Sequence, residues 1–273
     1  MTTPLNRVTR AIRAALRPPP RMPLSAWADE HAMLSAESSH KQGKWKTLPY
    51  QRGIMDAITD RRIERVSVIK SARVGYTKIL NHAVGFFAHY DPCPIMVVQP
   101  TIGDAEGYSK DEIEPMIRDT KVLRKIFPKQ DKREKCTILH KQFRGGQLRL
   151  VGADSPRGFR RVSMRFVAFD EVDGYSQTAG EEGDQIKLGE ARAGYFWNRK
   201  FLYGSTPTLD QTSRITRLFR RGNMEEAGRH LERAVTDTAA LFGIDSPRHT
   251  RAQVSLAALR RDQGRYADAE RLY

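Results

Sequence analysis

Apolar runs of strand length alternate with longer amphipathic stretches along most of this chain. The strand-like runs lie at residues 66–70, 94–98, 147–151, 163–169 and 200–203. Helical periodicity follows Thr77 and returns over residues 102–118 and 183–194. Alternation of strands and helices is typical of a parallel sheet with helices on its faces. The pattern therefore predicts an α/β fold with a mainly parallel sheet.

The first strand runs directly into a loop of small residues that opens a helix. This loop has the sequence Lys70-Ser-Ala-Arg-Val-Gly-Tyr-Thr-Lys78. Backbone N–H groups of such a loop, with the positive end of the helix dipole behind them, bind phosphate groups. Lys70 or Lys78 would contact the β- and γ-phosphates of a nucleotide, and Thr77 would hold Mg²⁺. The common pattern has Lys after the last glycine, where this chain has Tyr76, so a basic turn that caps a helix is the alternative.

An acidic pair follows the apolar run at residues 164–169. Asp170 and Glu171 stand at the carboxyl end of this predicted strand, and ligands of open α/β sheets bind at the carboxyl ends of strands. Asp170 is expected to hold Mg²⁺, and Glu171 to orient or deprotonate a water for nucleotide hydrolysis. A solvated turn is the alternative for the pair taken alone. Together with the loop, the pair predicts a nucleotide-hydrolysing site.

Two further segments carry candidate site residues. Tyr50 offers a flat face to a purine and Gln51 an amide for the purine edge, unless this segment is a turn that packs an aromatic ring against the core. The segment Gly204-Ser-Thr206 follows the predicted strand 200–203. Its hydroxyl groups would emerge at a strand end, unless the segment is a plain turn.

A cluster of arginines lies in the sequence between the basic loop at residues 70–78 and the acidic pair at residues 170 and 171. Arg157, Arg160 and Arg161 are candidates for a phosphate-sensing arginine or for a contact with the DNA backbone, because guanidinium groups pair with phosphate in bidentate geometry. A solvated basic turn is the third alternative. The sequence does not distinguish among these three.

The motifs together resemble the large terminase subunit of tailed phages, the lambda type in particular. The loop with its Lys at the front matches the variant phosphate loop of that family, and the resemblance covers roughly residues 20–220 in the right order. Other matching segments are Pro23–Glu30, Trp45–Arg52, Val98–Thr101, Val167–Asp173 and Gly204–Thr208. The resemblance implies a P-loop (RecA-like) NTPase, the ATPase motor that pumps double-stranded DNA into an empty capsid.

The same resemblance implies roles for individual residues. Lys70 would be the phosphate-loop lysine, and Asp170 and Glu171 the Mg²⁺ and catalytic pair. Gly204, Ser205 and Thr206 would couple hydrolysis to movement. The other residues around the nucleotide would be Tyr50, Gln51, Ser71, Ala72, Arg73, Val74, Gly75, Tyr76, Thr77 and Lys78. The implied cofactors are ATP and Mg²⁺. The implied partners are double-stranded DNA, a small terminase subunit, a portal protein and further copies of the chain.

Basic residues outnumber acidic ones throughout the sequence. The chain has 273 residues and a net charge of +15, which favours a polyanionic partner and in particular the backbone of duplex DNA. Residues 1–22 are predicted to form a basic arm, with a short amphipathic helix over 5–17. Cys93 and Cys136 are too few for a disulfide framework or a zinc site. No apolar run reaches the length of a membrane span, so the cytoplasm of a bacterial host or an infected cell is the expected location.

The character of the sequence changes after residue 220. The segments 221–227 and 263–269 are similar, and Gly222 and Gly264 lie about 40 residues apart, a period typical of solenoid repeats. Residues 256–273 resemble tetratricopeptide repeats of the kinesin light-chain kind. In those repeats small residues lie where helices cross, and the matching positions are Ala227, Ala257 and Ala269. An ordinary helical tail is the alternative. The predicted domains are therefore the arm, an ATPase domain over 23–220 and an incomplete repeat tail over 221–273.

Terminases of the resembled family continue into a nuclease domain that holds two metals with carboxylates. Nothing after the segment at Gly204 resembles such a domain. We therefore expect a truncated ATPase without endonuclease activity, joined to the start of a repeat array. Two other classes of function are alternatives: a helicase-type nucleic-acid-dependent ATPase, and an inactive terminase remnant whose repeats bind a partner protein.

Overall fold

A computed structural model describes residues 22–39, 42–71, 73–127, 137–160, 162–176, 183–209, 212–262 and 265–272. The predicted arm up to residue 21 lies outside this part of the chain, as do Ala72, Arg161 and Gly264. The same is true of the Ala227 side chain.

A six-stranded sheet forms the centre of the part of the chain that the structure describes. Its strands run in the order β3-β8-β7-β4-β6-β5, and all neighbours are parallel except β5 and β6. The strands are β3 (Arg65–Ile69), β4 (Ile95–Gln99), β5 (His140–Phe143), β6 (Gly146–Gly152), β7 (Phe166–Asp170) and β8 (Lys200–Ser205). A separate antiparallel ribbon pairs β1 (Met33–Leu34) with β2 (Gly43–Lys44). The mainly parallel sheet confirms the predicted fold class.

The predicted strands are all present, with small shifts at their ends. The strand predicted over 163–169 begins only at Phe166 and includes Asp170 as its last residue. The strand predicted over 200–203 continues through Gly204 and Ser205 because parallel pairing with β7 and β3 extends that far. The antiparallel edge strand β5 was not predicted, since its sequence His-Lys-Gln-Phe is mostly polar.

Helices cover both faces of the sheet. They are α1 (Leu24–His31), α2 (Pro49–Thr59), α3 (Tyr76–His89), α4 (Ile102–Tyr108), α5 (Glu114–Asp119), α6 (Lys121–Ile126), α7 (Gln185–Ala191), α8 (Arg214–Phe242), α9 (Pro247–Asp262) and α10 (Tyr266–Glu270). The helix predicted over 102–118 is divided into α4 and α5 by the π-helical turn Ser109–Ile113. Helix α2, which the sequence patterns did not predict, starts with a proline and buries Gln51, Met55 and Ile58.

Alternate residues of β4 point into two separate hydrophobic layers. Ile95 and Val97 pack with the layer formed by helices such as α1 and α3, whereas Met96 and Val98 pack with the layer that includes Ile215 of α8. All residues of β4 are buried, as expected for a parallel strand covered on both faces. The sheet therefore forms a rigid support whose carboxyl edge carries the predicted motifs.

The helical tail begins inside the core and then leaves it. Helix α8 starts after the N-cap residue Ser213 and continues without interruption past residue 220, so the first copy of the repeated segment lies within this helix. Helix α9 packs against α8, with His249 Nδ1 placed 3.1 Å from the carbonyl oxygen of Val235. Ala257 and Ala269 are buried, as the repeat pattern predicted.

Candidate active site at the carboxyl edge of the sheet

Neighbouring parallel strands bring their carboxyl ends together at one edge of the sheet. Ile69 of β3 pairs with Ser205 of β8, and Gly204 of β8 pairs with Asp170 of β7. Strand β7 in turn pairs with β4, whose last residue is Gln99. The predicted phosphate loop, the acidic pair and the segment at residues 204–206 therefore meet at this edge.

The phosphate loop passes through left-handed backbone conformations before α3 begins. Arg73 has φ 63° and Gly75 has φ 79°, and the side chains of Ser71 and Arg73 are exposed. Gly75 is the N-cap residue of α3 and makes no side-chain cap. The first turn of a helix has N–H groups without intrahelical partners. Such groups bind anions such as phosphate.

Tyr50 and Gln51, in the first turn of α2, hold the phosphate loop from the side. The Tyr50 hydroxyl donates to the Val74 carbonyl at 3.0 Å, and Gln51 Nε2 donates to the same oxygen at 3.4 Å. A Cβ atom on Gly75 would lie only 2.9 Å from Gln51 Nε2. The Tyr50 side chain is 56% exposed while Gln51 is buried. Gln51 therefore supports the loop, and the Tyr50 ring beside it is open to a ligand.

Lys70 connects the phosphate loop with the acidic pair. Its ammonium donates a hydrogen bond to Glu171 and lies 4.0 Å from Oδ1 of Asp170. The same ammonium lies 5.1 Å from the centre of the Tyr76 ring, within range of a cation–π contact. The Lys70 side chain is largely buried, so its charge is directed into the site.

Asp170 is a buried carboxylate at the end of β7. Burial raises its pKa to about 6, while the Lys70 ammonium and the hydrogen bond from Gln99 favour the ionised form. Gln99 Nε2 donates to Asp170 Oδ2 at 3.3 Å. Sequence reasoning included Gln99 in the segment Val98–Thr101 that resembles the family but assigned it no role. The available signal was its position at the end of a strand in the same sheet.

Glu171 has a left-handed backbone, with φ 48° and ψ 50°. Its N–H donates to Asp170 Oδ1 at 3.0 Å. Its Oε2 atom accepts hydrogen bonds from the Ser205 hydroxyl and from the Thr206 N–H, each at 3.3 Å. The carboxylate is therefore held between Lys70 on one side and the end of β8 on the other.

Gly204 allows the Tyr76 ring to lie against β8. A Cβ atom at position 204 would be 2.1 Å from Cζ of Tyr76 and 2.2 Å from its hydroxyl oxygen. Tyr76 is buried, and burial raises the pKa of its phenol. The residue that replaces the usual lysine after the glycine thus fills the space beneath Lys70.

Lys78 is placed in a different cluster. Its ammonium lies 2.6 Å from Glu112 Oε2 and 2.8 Å from Ser38 Oγ. Asn81 Nδ2 donates to the same Glu112 oxygen at 2.6 Å. Thr77 lies beside Lys78 in the first turn of α3. Of the loop lysines, Lys70 is the one that the structure directs towards the acidic pair.

Arg157 and Arg160 follow strand β6. Arg157 lies in the 3₁₀ turn Pro156–Phe159 and Arg160 directly after it, and both side chains are exposed. Because β6 pairs in parallel with β4, this turn stands at the same edge of the sheet as Asp170, two strands further along.

Comparison with known proteins places this chain in a family. Residues 39–226 match the family described as the phage terminase large subunit gpA, ATPase domain. The chain belongs to this terminase family. The large terminase subunit of Escherichia phage lambda is 34% identical over 220 residues, which cover 78% of this chain and 34% of the lambda protein. That of Enterobacteria phage P21 is 34% identical over 192 residues, 69% of this chain and 30% of the relative.

The terminase chain spans about a third of the length of these curated relatives. The crystal structure of the HK97 bacteriophage large terminase has a TM-score of 0.60 at 12% identity and covers 90% of this chain and 54% of that one. This likeness confirms the predicted α/β fold with a mainly parallel sheet.

The helical tail of this terminase-family chain has a second match. Residues 218–273 match the tetratricopeptide repeat family, which confirms the repeat predicted from the sequence. In the described ranges, no helix is both long and apolar enough to cross a membrane. Nor do these ranges contain a group of three or more His, Cys, Asp and Glu residues arranged to hold a metal ion. The predicted lack of endonuclease activity stays a prediction.

Proposed function

We propose that this chain hydrolyses ATP with Mg²⁺ and uses the reaction to move double-stranded DNA during phage DNA packaging. The observation that carries the proposal is the meeting of Lys70, Asp170 and Glu171 at the carboxyl edge of a parallel sheet, beside a phosphate loop. Membership of a family described by its ATPase domain supports the reaction. The net charge of +15 supports DNA as the partner.

The residues of the edge fit a nucleotide and a hard cation. Lys70 would contact the β- and γ-phosphates, and the backbone from Ser71 to Gly75 would surround them. Thr77 and Asp170 offer the hydroxyl and carboxylate oxygens that Mg²⁺ prefers, and Asp170 is mostly ionised above a pH of about 6. Bound Mg²⁺ would neutralise charge on the phosphate oxygens. Tyr50 would lie beside the adenine.

Glu171 is proposed to activate the attacking water. The Glu171 carboxylate accepts a hydrogen bond from the Lys70 ammonium. A phosphate group that binds this ammonium would break that hydrogen bond. The carboxylate then accepts the proton of the water as it attacks the γ-phosphate. Because Glu171 also accepts hydrogen bonds from Ser205 and Thr206, its displacement would move the segment Gly204–Thr206. This connection supports the coupling role of that segment.

The proposed partners follow from family membership. Double-stranded DNA, a small terminase subunit, a portal protein and further copies of the chain are the partners of a packaging motor. Arg157 or Arg160 is proposed as the arginine that senses phosphate, either in its own chain or in a neighbouring copy. The exposure of both side chains supports this role.

The first test is ATP hydrolysis with and without linear duplex DNA, at low and moderate salt. The wild-type chain is expected to show DNA-stimulated turnover that falls as salt rises. Glu171→Gln is expected to lose about a hundredfold or more of this turnover while it still binds ATP. Glu37→Gln is the matched control, because Glu37 pairs with Arg118 at the surface, 2.7 Å away. Absence of turnover in the wild-type chain, or full turnover in Glu171→Gln, would contradict the proposal.

A further inference from the structure

Asp173 follows the acidic pair closely and contacts the beginning of the helical tail. It lies in the 3₁₀ turn Val172–Gly174. Its Oδ1 atom accepts the N–H of Ile215 at 2.8 Å, and Ile215 stands in the first turn of α8. The carboxylate therefore binds an N–H group that has no partner within the helix, at the positive end of the helix dipole.

The other oxygen of Asp173 holds the segment that follows β8. Oδ2 accepts the N–H of Thr208 at 2.9 Å and the Thr208 hydroxyl at 3.0 Å. The Asp173 N–H donates to the Ser205 hydroxyl at 3.2 Å. One residue thus binds Ser205, Thr208 and the start of α8 at the same time.

This arrangement needs a carboxylate. An ionised aspartate only accepts hydrogen bonds, and both of its oxygens face donors here. Asparagine would present an amide N–H₂ group to one of these sides, where it meets a donor instead of an acceptor. Partial burial of Asp173 opposes ionisation, but the hydrogen bonds from Ile215, Ser213 and Thr208 outweigh it and lower its pKa. Asp173 is therefore charged at neutral pH and holds both elements.

A continuous set of contacts leads from the proposed catalytic carboxylate to the tail. Glu171 binds Ser205 and Thr206, and Ser205 binds Asp173, which caps α8. Helix α8 continues to Phe242 and contains the start of the tetratricopeptide match at residue 218. Asp173 therefore connects Ser205 of β8 with the first turn of α8.

We infer that Asp173 is a positioning residue that transmits the nucleotide state of the site to α8 and through it to the repeat tail. This inference rests on the proposed function, since it requires a nucleotide that displaces Glu171. The repeat tail is then a part of the protein whose position depends on the nucleotide.

Hydrogen–deuterium exchange at the first turn of α8 tests the inference. The full chain is compared without nucleotide, with Mg²⁺–ADP and with Mg²⁺ and a non-hydrolysable ATP analogue, while calorimetry on the same samples measures nucleotide affinity. In the wild-type chain, nucleotide is expected to change the exchange rate of this turn by about tenfold, the effect of one net hydrogen bond. Asp173→Asn is expected to abolish this change while nucleotide affinity is retained.

Asp184→Asn is the matched control. Asp184 is the N-cap of α7, and its side chain accepts the N–H of Lys187 at 3.0 Å. If Asp173 only caps its helix, the nucleotide-dependent change in hydrogen exchange at α8 should be the same in Asp173→Asn and Asp184→Asn. We expect Asp184→Asn to keep the nucleotide response of α8. If Asp173→Asn does not fold, Thr208→Val removes one donor to Asp173 and is expected to reduce the response.

The outcomes separate this inference from the proposed function. A wild-type chain that binds nucleotide without any change at α8 would overturn the inference and leave the proposed function standing. A chain that binds no nucleotide would overturn both. An Asp173→Asn variant that responds as Asp184→Asn does would show that Asp173 only caps the helix, and would also overturn the inference.

Discussion

Lys70 donates a hydrogen bond to Glu171, which lies 101 positions further along the chain. The two residues follow strands β3 and β7, which are separated in the sheet by β8. The bond holds the front of the phosphate loop against the carboxylate that we propose as the base. A nucleotide that binds at this edge must compete with Glu171 for the Lys70 ammonium. Nucleotide binding would therefore release the Glu171 carboxylate from this hydrogen bond.

Lys70→Ala is expected to weaken ATP binding more than Lys78→Ala. A hydrogen bond to a charged group contributes about 1.5–3 kcal/mol, so the loss for Lys70 should be about tenfold to a hundredfold in affinity. The Lys78 ammonium is occupied by Glu112 and Ser38, and its removal should affect affinity far less. Calorimetric titration with a non-hydrolysable ATP analogue and Mg²⁺ measures both. A larger loss in Lys78→Ala would show that this lysine leaves Glu112 to bind the nucleotide.

Gly204→Ala is expected to destabilise the protein. The added methyl group would overlap the Tyr76 ring, whose Cζ lies 2.1 Å from the Cβ position, and overpacking of a core costs about 1–3 kcal/mol. Gly53→Ala is the control. Gly53 lies inside α2, and beyond its chain neighbours and the backbone of its own helix no atom lies within 4 Å of its Cβ position. This substitution should therefore stabilise by about 0.5–1 kcal/mol. Urea unfolding measures the free energy of unfolding of both variants. Equal values would contradict the close contact between Gly204 and the Tyr76 ring.

The buried His82 should make the free energy of unfolding depend on pH. It is buried in α3, with its ring centre 4.5 Å from that of Trp45. Burial lowers its pKa from 6.5 to about 3, and the charge of Lys78 adds to this effect. The unfolded chain therefore takes up a proton that the folded protein excludes. The stability from this difference is complete above pH 6.5 and is lost as the pH falls towards 3.

His82→Phe should remove that dependence. Between about pH 6 and pH 4, the free energy of unfolding of the wild-type chain should fall relative to the variant by about 1.4 kcal/mol per pH unit. Urea unfolding of both proteins across this range measures the difference between their free energies of unfolding. The contributions of other titrating groups cancel in this difference. Parallel pH profiles would show that His82 is protonated in the folded protein.

Ala257→Leu is expected to destabilise the helical tail. Ala257 of α9 is fully buried at a position where the repeat pattern predicts a close helix crossing, and a larger side chain there should cost about 1–3 kcal/mol. Ala240→Leu on α8 is the control because Ala240 is exposed. Hydrogen exchange in α8 and α9 should increase in the first variant and stay unchanged in the second. Unchanged exchange in both would contradict close packing at Ala257.

Much of the site could be predicted because its parts are local. A phosphate loop between a strand and a helix and an acidic pair at the end of an apolar strand are recognisable within a few residues each. The hydrophobic alternation indicated a parallel sheet, whose geometry requires that the carboxyl ends of its strands meet. Family resemblance then connected the motifs to a terminase ATPase domain, which the comparisons confirmed.

Other features depend on which strands are neighbours, and local sequence does not encode this. The insertion of β8 between β3 and β7 brings Ser205 against Glu171 and Gly204 against Tyr76. Gln99 reaches Asp170 only because β4 pairs with β7. Lys78 binds Glu112, which lies in the π-helical turn Ser109–Ile113, and its ammonium is therefore held there. Hydrogen bonds and side-chain contacts between distant segments are fixed by strand order and register. The sequence by itself thus determined the fold class, the loop and the acidic pair, and only the tertiary structure decided which groups hold the carboxylates and how they contact α8.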